Sequence, residues 1–188
     1  MPYPTQVTRE QIILTARDLL ERHGYDNLSL AKLAEALGIK APSLYKHVSD
    51  KAHLLMATNA QTWLELTQAM QTAVQTQANA PQQLLAMAHA YRAYALSHPV
   101  TYELAFSNTI ANTRPDAPFL EALALPLQAV WVQWVSEEQA LVALRGLWAL
   151  VHGFVMLEIG QHFERGGDLG QVFTQTVSAY ITGQHPTP

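Results

Sequence analysis

The stretch LSLAKLAEALGIKAPSLYKHVSDK, residues 28–51, decides the fold. Ser29 is placed to cap a helix, because its hydroxyl can accept a hydrogen bond from an unpaired backbone N–H one turn on. Leu28 and Leu33 stand before and after that cap at hydrophobic-staple positions. Leu30, Leu33, Ala34 and Leu37 recur at helical spacing and form one apolar face. Gly38 ends the helix, since glycine adopts the left-handed conformation at little steric cost. Pro42 falls in the first turn of a second helix, where no N–H is needed, and the pattern extends that helix over about 41–47. Lys40, Ser43, Tyr45, Lys46 and His47 lie on its outer side, while Leu44 and Val48 point inward. Two short helices about a glycine turn make a helix-turn-helix pattern, whose second helix must fit a major groove. Lysines, a serine and a tyrosine hydroxyl suit phosphate oxygens, and some reach base edges. A helical hairpin in an ordinary bundle would carry the same pattern.

The run from Gly38 through Ile39, Lys40, Ala41, Pro42, Ser43, Leu44, Tyr45, Lys46, His47, Val48, Ser49, Asp50 and Lys51 to Ala52, His53, Leu54 and Leu55 resembles the DNA-binding domain of the TetR family of transcriptional regulators. The likeness extends upstream through Leu28-Ser29-Leu30 and covers about the first third of the chain. Val48 departs from the family's commoner phenylalanine. Lys51 matches the family's phosphate-contacting lysine, and on the present reading Ser29, Lys40 and Lys46 would hold phosphates with it. Ala41, Pro42, Ser43 and Tyr45 would then lie nearest the groove, with His47 at its border.

Outside this stretch the composition sets bounds. The chain has 188 residues and a formal net charge of −4, enough length for one or two domains with a real core. Residues 1–58 carry seven Lys and Arg against six Asp and Glu; the remainder carries four against nine. Basic charge is therefore concentrated in the DNA-reading third. There is no cysteine, which excludes disulfides and thiolate metal sites. The N-terminus lacks a signal-peptide layout, and no uninterrupted apolar run looks long enough to span a bilayer, so the expectation is a cytoplasmic protein with no membrane partner.

In chain order, residues 1–7 form a short arm. Thr8 and Gln11 then make a Thr-x-x-Gln capping box. Ile12, Ile13, Ala16, Leu19, Leu20 and His23 line the helix it opens, Gly24 ends it, and Tyr25 covers the small core. Ser49 or Asp50 caps a long helix to about residue 77. Further helices are predicted from Pro81 to about Ser97, from Val100 to about Asn108, and over about 117–135 with a kink at Pro126. No strand pattern or repeat is present. The expected fold is all-α with about nine helices. A three-helix helix-turn-helix domain over residues 1–49 would precede an antiparallel helical bundle over 50–188 that dimerises.

Ser136-Glu137-Glu138-Gln139 is a helix start signal. The helix is expected to run to about Glu164 and stop at Gly166-Gly167. Gly146, Ala149, Gly153, Met156 and Gly160 share one side of it, at spacings typical of a helix–helix seam. Glycine in a helix interior costs about 1 kcal/mol relative to alanine, so such a stripe points to close backbone approach. The opposite side is also apolar, and a second copy of the chain is the simplest partner. Val172, Phe173 and Thr176 of a final helix over about 168–182 complete the expected homodimer interface. Leu147-Trp148-Ala149-Leu150-Val151-His152-Gly153 resembles the C-terminal domain of a TetR subgroup called WHG, which implies dimerisation and an effector domain.

Most aromatic residues in the second half are expected in the core. Tyr91, Tyr94, Tyr102, Phe106, Trp131 and Trp148 are candidates for lining a small-molecule effector pocket. His89, His98, His152 and His162 are read as hydrogen-bonded core or surface residues. Their spacing from Glu158 does not reproduce the Glu-x-x-His pairs of di-iron bundles, and no metal or other cofactor is called for. No nucleophile elbow or glycine-rich phosphate loop is present, so no catalytic residue is assigned. The reading is a ligand-responsive homodimeric repressor on a palindromic DNA operator. The alternatives are an all-helical binder or enzyme with no DNA role, and a structural dimerisation module.

Overall fold

The computed structural model describes residues 7–107, 110 and 112–184, and the expected N-terminal arm lies almost wholly outside them. Among the described residues there are nine helices and no strand: α1 (Arg9–His23), α2 (Leu30–Ala36), α3 (Ala41–Leu44), α4 (Lys51–Gln75), α5 (Ala80–Ser97), α6 (Pro99–Phe106), α7 (Ala117–Val132), α8 (Glu137–Ile159) and α9 (Leu169–Gly183). The chain divides into two compact units, one of residues 1–63 with 98–116 and one of 64–97 with 117–188. The first unit therefore takes in α6 and the start of α4 besides the helix-turn-helix.

The first unit closes around Ile12, Leu20, Leu33, Leu44, Leu54 and Leu55, with Leu104 of α6 in the same cluster. Its helix ends follow cap chemistry. Gln11 N–H donates to Thr8 Oγ1 at 3.2 Å and Thr8 N–H donates to Gln11 Oε1 at 2.9 Å, completing the capping box. Lys32 N–H donates to Ser29 Oγ at 3.2 Å. After α2, Gly38 takes φ +66°. Gly38 N–H then reaches Glu35 O and Ile39 N–H reaches Ala34 O, both at 3.0 Å, which is the Schellman closure. Of the two candidate caps for α4, Asp50 accepts from His53 N–H at 2.8 Å. That bond, helped by the Ser49 hydroxyl, holds the Asp50 carboxyl below its ordinary value.

The N-terminus of α6 has no side-chain cap of its own. Glu21 of α1 supplies one: its carboxylate accepts from Val100 N–H at 3.1 Å, Thr101 N–H at 2.9 Å and Thr101 Oγ1 at 2.6 Å. A carboxylate at that end satisfies orphan donors and meets the positive end of the helix dipole.

In the second unit, α8 packs against α5, α7 and α9. Its buried face is Ala140, Ala143, Leu144, Leu147, Val151 and Val155. Arg92 of α5 forms a forked ion pair with Glu158 of α8, Nε donating to Oε2 at 2.7 Å and Nη2 to Oε1. Tyr180 of α9 donates to Ala143 O at 3.1 Å, and Trp134 Nε1 donates to Ile181 O at 3.0 Å.

Several boundaries differ from expectation. The α-helical part of α3 ends at Leu44, and residues 45–47 continue as a turn in which His47 N–H bonds Leu44 O at 2.9 Å. Helix α8 stops at Ile159, well before Gly166-Gly167, because Gln161 adopts φ +56° just after the Gly160 cap. Pro126 sits inside a helix that ends at Val132, three residues early. By length and apolar composition α8 is also able to cross a membrane, contrary to the sequence expectation; a core helix that is apolar on both sides passes the same test.

Replacing Glu21 with alanine orphans the first N–H groups of α6. The expected loss of stability is about 2 kcal/mol, read as a lower urea midpoint; an unchanged midpoint would show that water caps α6 equally well.

Candidate functional site

Helix α3 is too short to persist alone and is held from beneath. Leu44 is completely buried and Val48 nearly so, both within the core of α1, α2 and α4. This fixes the opposite side outward. Lys40, Pro42, Ser43, Tyr45 and Lys46 are exposed, Tyr45 to 55 %, and Ala41 and His47 are half-buried. The fold thus gathers these seven residues on one short polar edge. Lys40 occupies the cap position, where its donor-only ammonium makes no cap bond.

Ser29 and Lys51 are already engaged. Ser29 Oγ accepts the Lys32 N–H but still has its own proton to donate. Lys51 Nζ donates to Tyr25 O at 3.0 Å and lies 3.9 Å above the centre of the Tyr25 ring. An ammonium carries three donors, so Lys51 keeps capacity for a phosphate while Tyr25 fixes its position. Tyr25 was expected only to cover the core. Lys32 is exposed at the start of α2, its backbone N–H on Ser29 Oγ.

The six pocket candidates do not converge. Tyr91 and Trp148 do: their rings meet edge to face at 5.7 Å and line a small apolar cleft of about 20 Å³ with Met70, Met87, Leu127 and Val151. Tyr91 Oη lies 3.3 Å from His152 Nδ1. Tyr102 and Phe106 belong instead to the first unit, where Phe106 stacks on Trp63 at 4.4 Å and on Tyr102 at 4.7 Å. Tyr94 donates to Glu65 Oε2 at 3.1 Å, and Trp131 is fully buried with its ring against Tyr180. The aliphatic lining was missed because in sequence it is indistinguishable from core.

The interface candidates also separate. Ala149, Gly160, Val172 and Thr176 are exposed, and Gly153 and Met156 are half-buried. Exposed Val142, at 68 %, and Leu157, at 45 %, extend their face. Two candidates are corrected. Phe173 is fully buried in its own chain, against His89 and Phe154. Gly146 leaves room for its own chain's Tyr180, whose hydroxyl lies 1.9 Å from where a Cβ would sit. At Gly153 an added Cβ meets nothing within 4 Å. Among the described residues, no group of three His, Asp or Glu side chains is placed to hold a metal ion.

With this geometry established, residues 12–58 match the family described as bacterial regulatory proteins, tetR family, and residues 84–180 match the tetracyclin repressor-like C-terminal domain. The chain belongs to the TetR family. The C-terminal match takes in Trp148 and the His152-Gly153 pair. Over 182 residues, 96 % of this chain and 83 % of the relative, it is 32 % identical to the uncharacterized HTH-type transcriptional regulator Rv0681 of Mycobacterium tuberculosis. Over 52 residues, 28 % of this chain and 24 % of the relative, it is 46 % identical to the class D tetracycline repressor protein of Escherichia coli. Its fold is similar to that of a Rhodococcus sp. RHA1 protein of unknown function, with a TM-score of 0.83 at 23 % identity, covering 99 % of this chain and all of that one. As a TetR-family protein the chain is a helix-turn-helix, DNA-binding transcriptional regulator, and the exposed edge of α3 lies within the matched TetR segment.

Burial pushes His152 below its ordinary value of 6.5; His89 is lowered by burial and then by Arg92. Both fold as neutral rings, and the unfolded chain binds their protons more readily. Their stabilisation is complete above 6.5 and is lost as pH falls below it toward the lower folded values. The urea midpoint is expected to fall between pH 7.5 and pH 5.5, and by less in a His152→Gln variant; equal falls would mean that His152 is not held neutral.

Proposed function

We propose that this regulator is a homodimeric repressor that acts in the cytoplasm on a palindromic operator and releases it when a small molecule occupies the second unit. The observation that carries the reading is the outward row Lys40, Ser43, Tyr45 and Lys46, backed by buried Leu44 and Val48. Two such rows, one from each copy, would meet successive major grooves. Lys40, Lys46, Lys51 and Ser29 hold phosphates and set the register. Ala41, Pro42, Ser43 and Tyr45 lie nearest the bases, with His47 at the groove border.

The second copy packs on α8 and α9 through Ala149, Gly153, Met156, Val172 and Thr176; Gly160 caps α8 and leaves room for the chain's own His162. Close helix approach at these small residues offsets the cost of glycine, and the two pairs of helices form a four-helix interface. The effector widens the small cleft beside Tyr91 and Trp148 and favours a dimer state whose reading helices no longer match the operator spacing. Repression is supported by the 46 % identity over 52 residues to a tetracycline repressor. No catalytic step is part of this function.

Lys46→Ala should weaken operator binding and lower the slope of log affinity against log salt by about one unit. An unchanged slope would remove Lys46 from the phosphate contacts. A Cβ added at Gly153 meets no atom of its own chain within 4 Å, and Gly153→Leu should give folded monomers in sedimentation, with unchanged helical content; an intact dimer would refute the seam.

A further inference from the structure

Tyr45, Lys46 and His47 follow the α-helical part of α3 and lie on the turn that leads to α4. Outside the regular helix, this backbone depends on how its two ends are held. One end is buried Leu44, whose carbonyl accepts from His47 N–H at 2.9 Å and Val48 N–H at 3.1 Å. The other end is Ser49, and a side chain of α4 holds it. Ser49 N–H donates to His53 Nδ1 at 3.3 Å. A backbone N–H can only donate, so Nδ1 is the acceptor and the proton of the neutral ring sits on Nε2. Asp50 grips His53 from the other direction, Oδ1 accepting from His53 N–H at 2.8 Å. The Ser49 hydroxyl joins the two side chains: it donates to Asp50 Oδ2 at 3.1 Å and lies 3.3 Å from His53 Nδ1. In an ordinary capping box, a Glu or Gln three residues after the cap reaches back to the N–H of the cap itself. Here that third residue is His53, and it reaches one residue further, to Ser49. The closure therefore takes in the last residue of the turn as well as the first turn of α4.

We propose that His53 is a positioning residue for DNA reading: its Nδ1, as acceptor, pins Ser49 and so sets where Tyr45, Lys46 and His47 are presented. His53 acts through the turn and makes no phosphate contact of its own. This inference rests on the reading of that edge as the DNA contact. Three substitutions separate the roles open to the ring. Gln offers a neutral acceptor three residues after the cap, Leu fills similar space with no acceptor, and Arg brings a positive charge with donors only.

The full chain without DNA tests the bond. At mildly alkaline pH the imidazole nitrogen chemical shifts of His53 should show Nε2 protonated and Nδ1 bare. Ser49 N–H should exchange with solvent more slowly than in His53→Leu. A proton on Nδ1, or equal exchange in the two proteins, would overturn the proposal. DNA affinity tests the consequence, on the duplex that the wild-type chain protects in DNA flanking its own coding region, beside a scrambled duplex. With helical content unchanged, His53→Leu should weaken binding to the protected duplex about threefold for each bound copy, the scale of a neutral hydrogen bond in a half-exposed place. Its affinity for the scrambled duplex and its salt slope should stay as in the wild type. His53→Gln should restore the preference, and His53→Arg should not, in spite of its charge. Gln as weak as Leu, or Arg as selective as the wild type, would overturn the proposal. So would a salt slope lowered by about one unit in both His53→Leu and His53→Gln, which would make His53 a phosphate contact. A wild-type chain that prefers no duplex would overturn the reading of the edge and the positioning role with it, while the ring tautomer and Ser49 exchange still decide the bond.

Discussion

The burial of Leu44 is the contact on which the DNA-reading edge depends. A helix of four residues has no stability of its own, because nucleation costs more than one turn of hydrogen bonds returns. Leu44 and Val48 tie that turn to the core built by Ile12, Leu20, Leu33, Leu54 and Leu55. Fully burying a leucine side chain is worth about 2 kcal/mol, a large share for so small an element. With the inward side fixed, the helical period leaves Lys40, Ser43 and Lys46 no direction but outward. Packing and recognition are therefore two faces of one constraint.

The same economy appears at the other helix ends of the first unit. Side chains from elsewhere in the unit satisfy groups that the short helices leave open. Glu21 of α1 caps α6, and Lys51 of α4 meets the Tyr25 carbonyl and ring. These are charged or charge-assisted bonds, stronger than their neutral equivalents. They place α6 and the start of α4 in the same compact unit as the helix-turn-helix.

Local chemistry was legible in the sequence. Thr8, Ser29 and Ser136 cap helices as expected, because a cap bond spans three residues. Features set by distant partners were not. A glycine stripe reads the same whether another chain fills it or, as at Gly146, the chain's own Tyr180 does. Tyr102 and Tyr91 look equivalent on their helices, yet one packs with Phe106 in the first unit and the other meets Trp148 in the second. Helix α8 was read too long because nothing in the residue types announces a positive φ at Gln161. The helix-turn-helix was the most legible part, since its residues are consecutive and its turn demands glycine.

The central claim is that two copies of α3 read one DNA site together. The most direct measurement is a footprint of the purified protein on DNA flanking its own coding region, with the protein-to-duplex stoichiometry measured on the protected fragment. The account predicts protection of two half-sites related by a dyad, their centres about one helical turn apart or a multiple of it, with an even number of chains per duplex. A single protected half-site bound by one chain, or uniform protection without sequence preference, would contradict it.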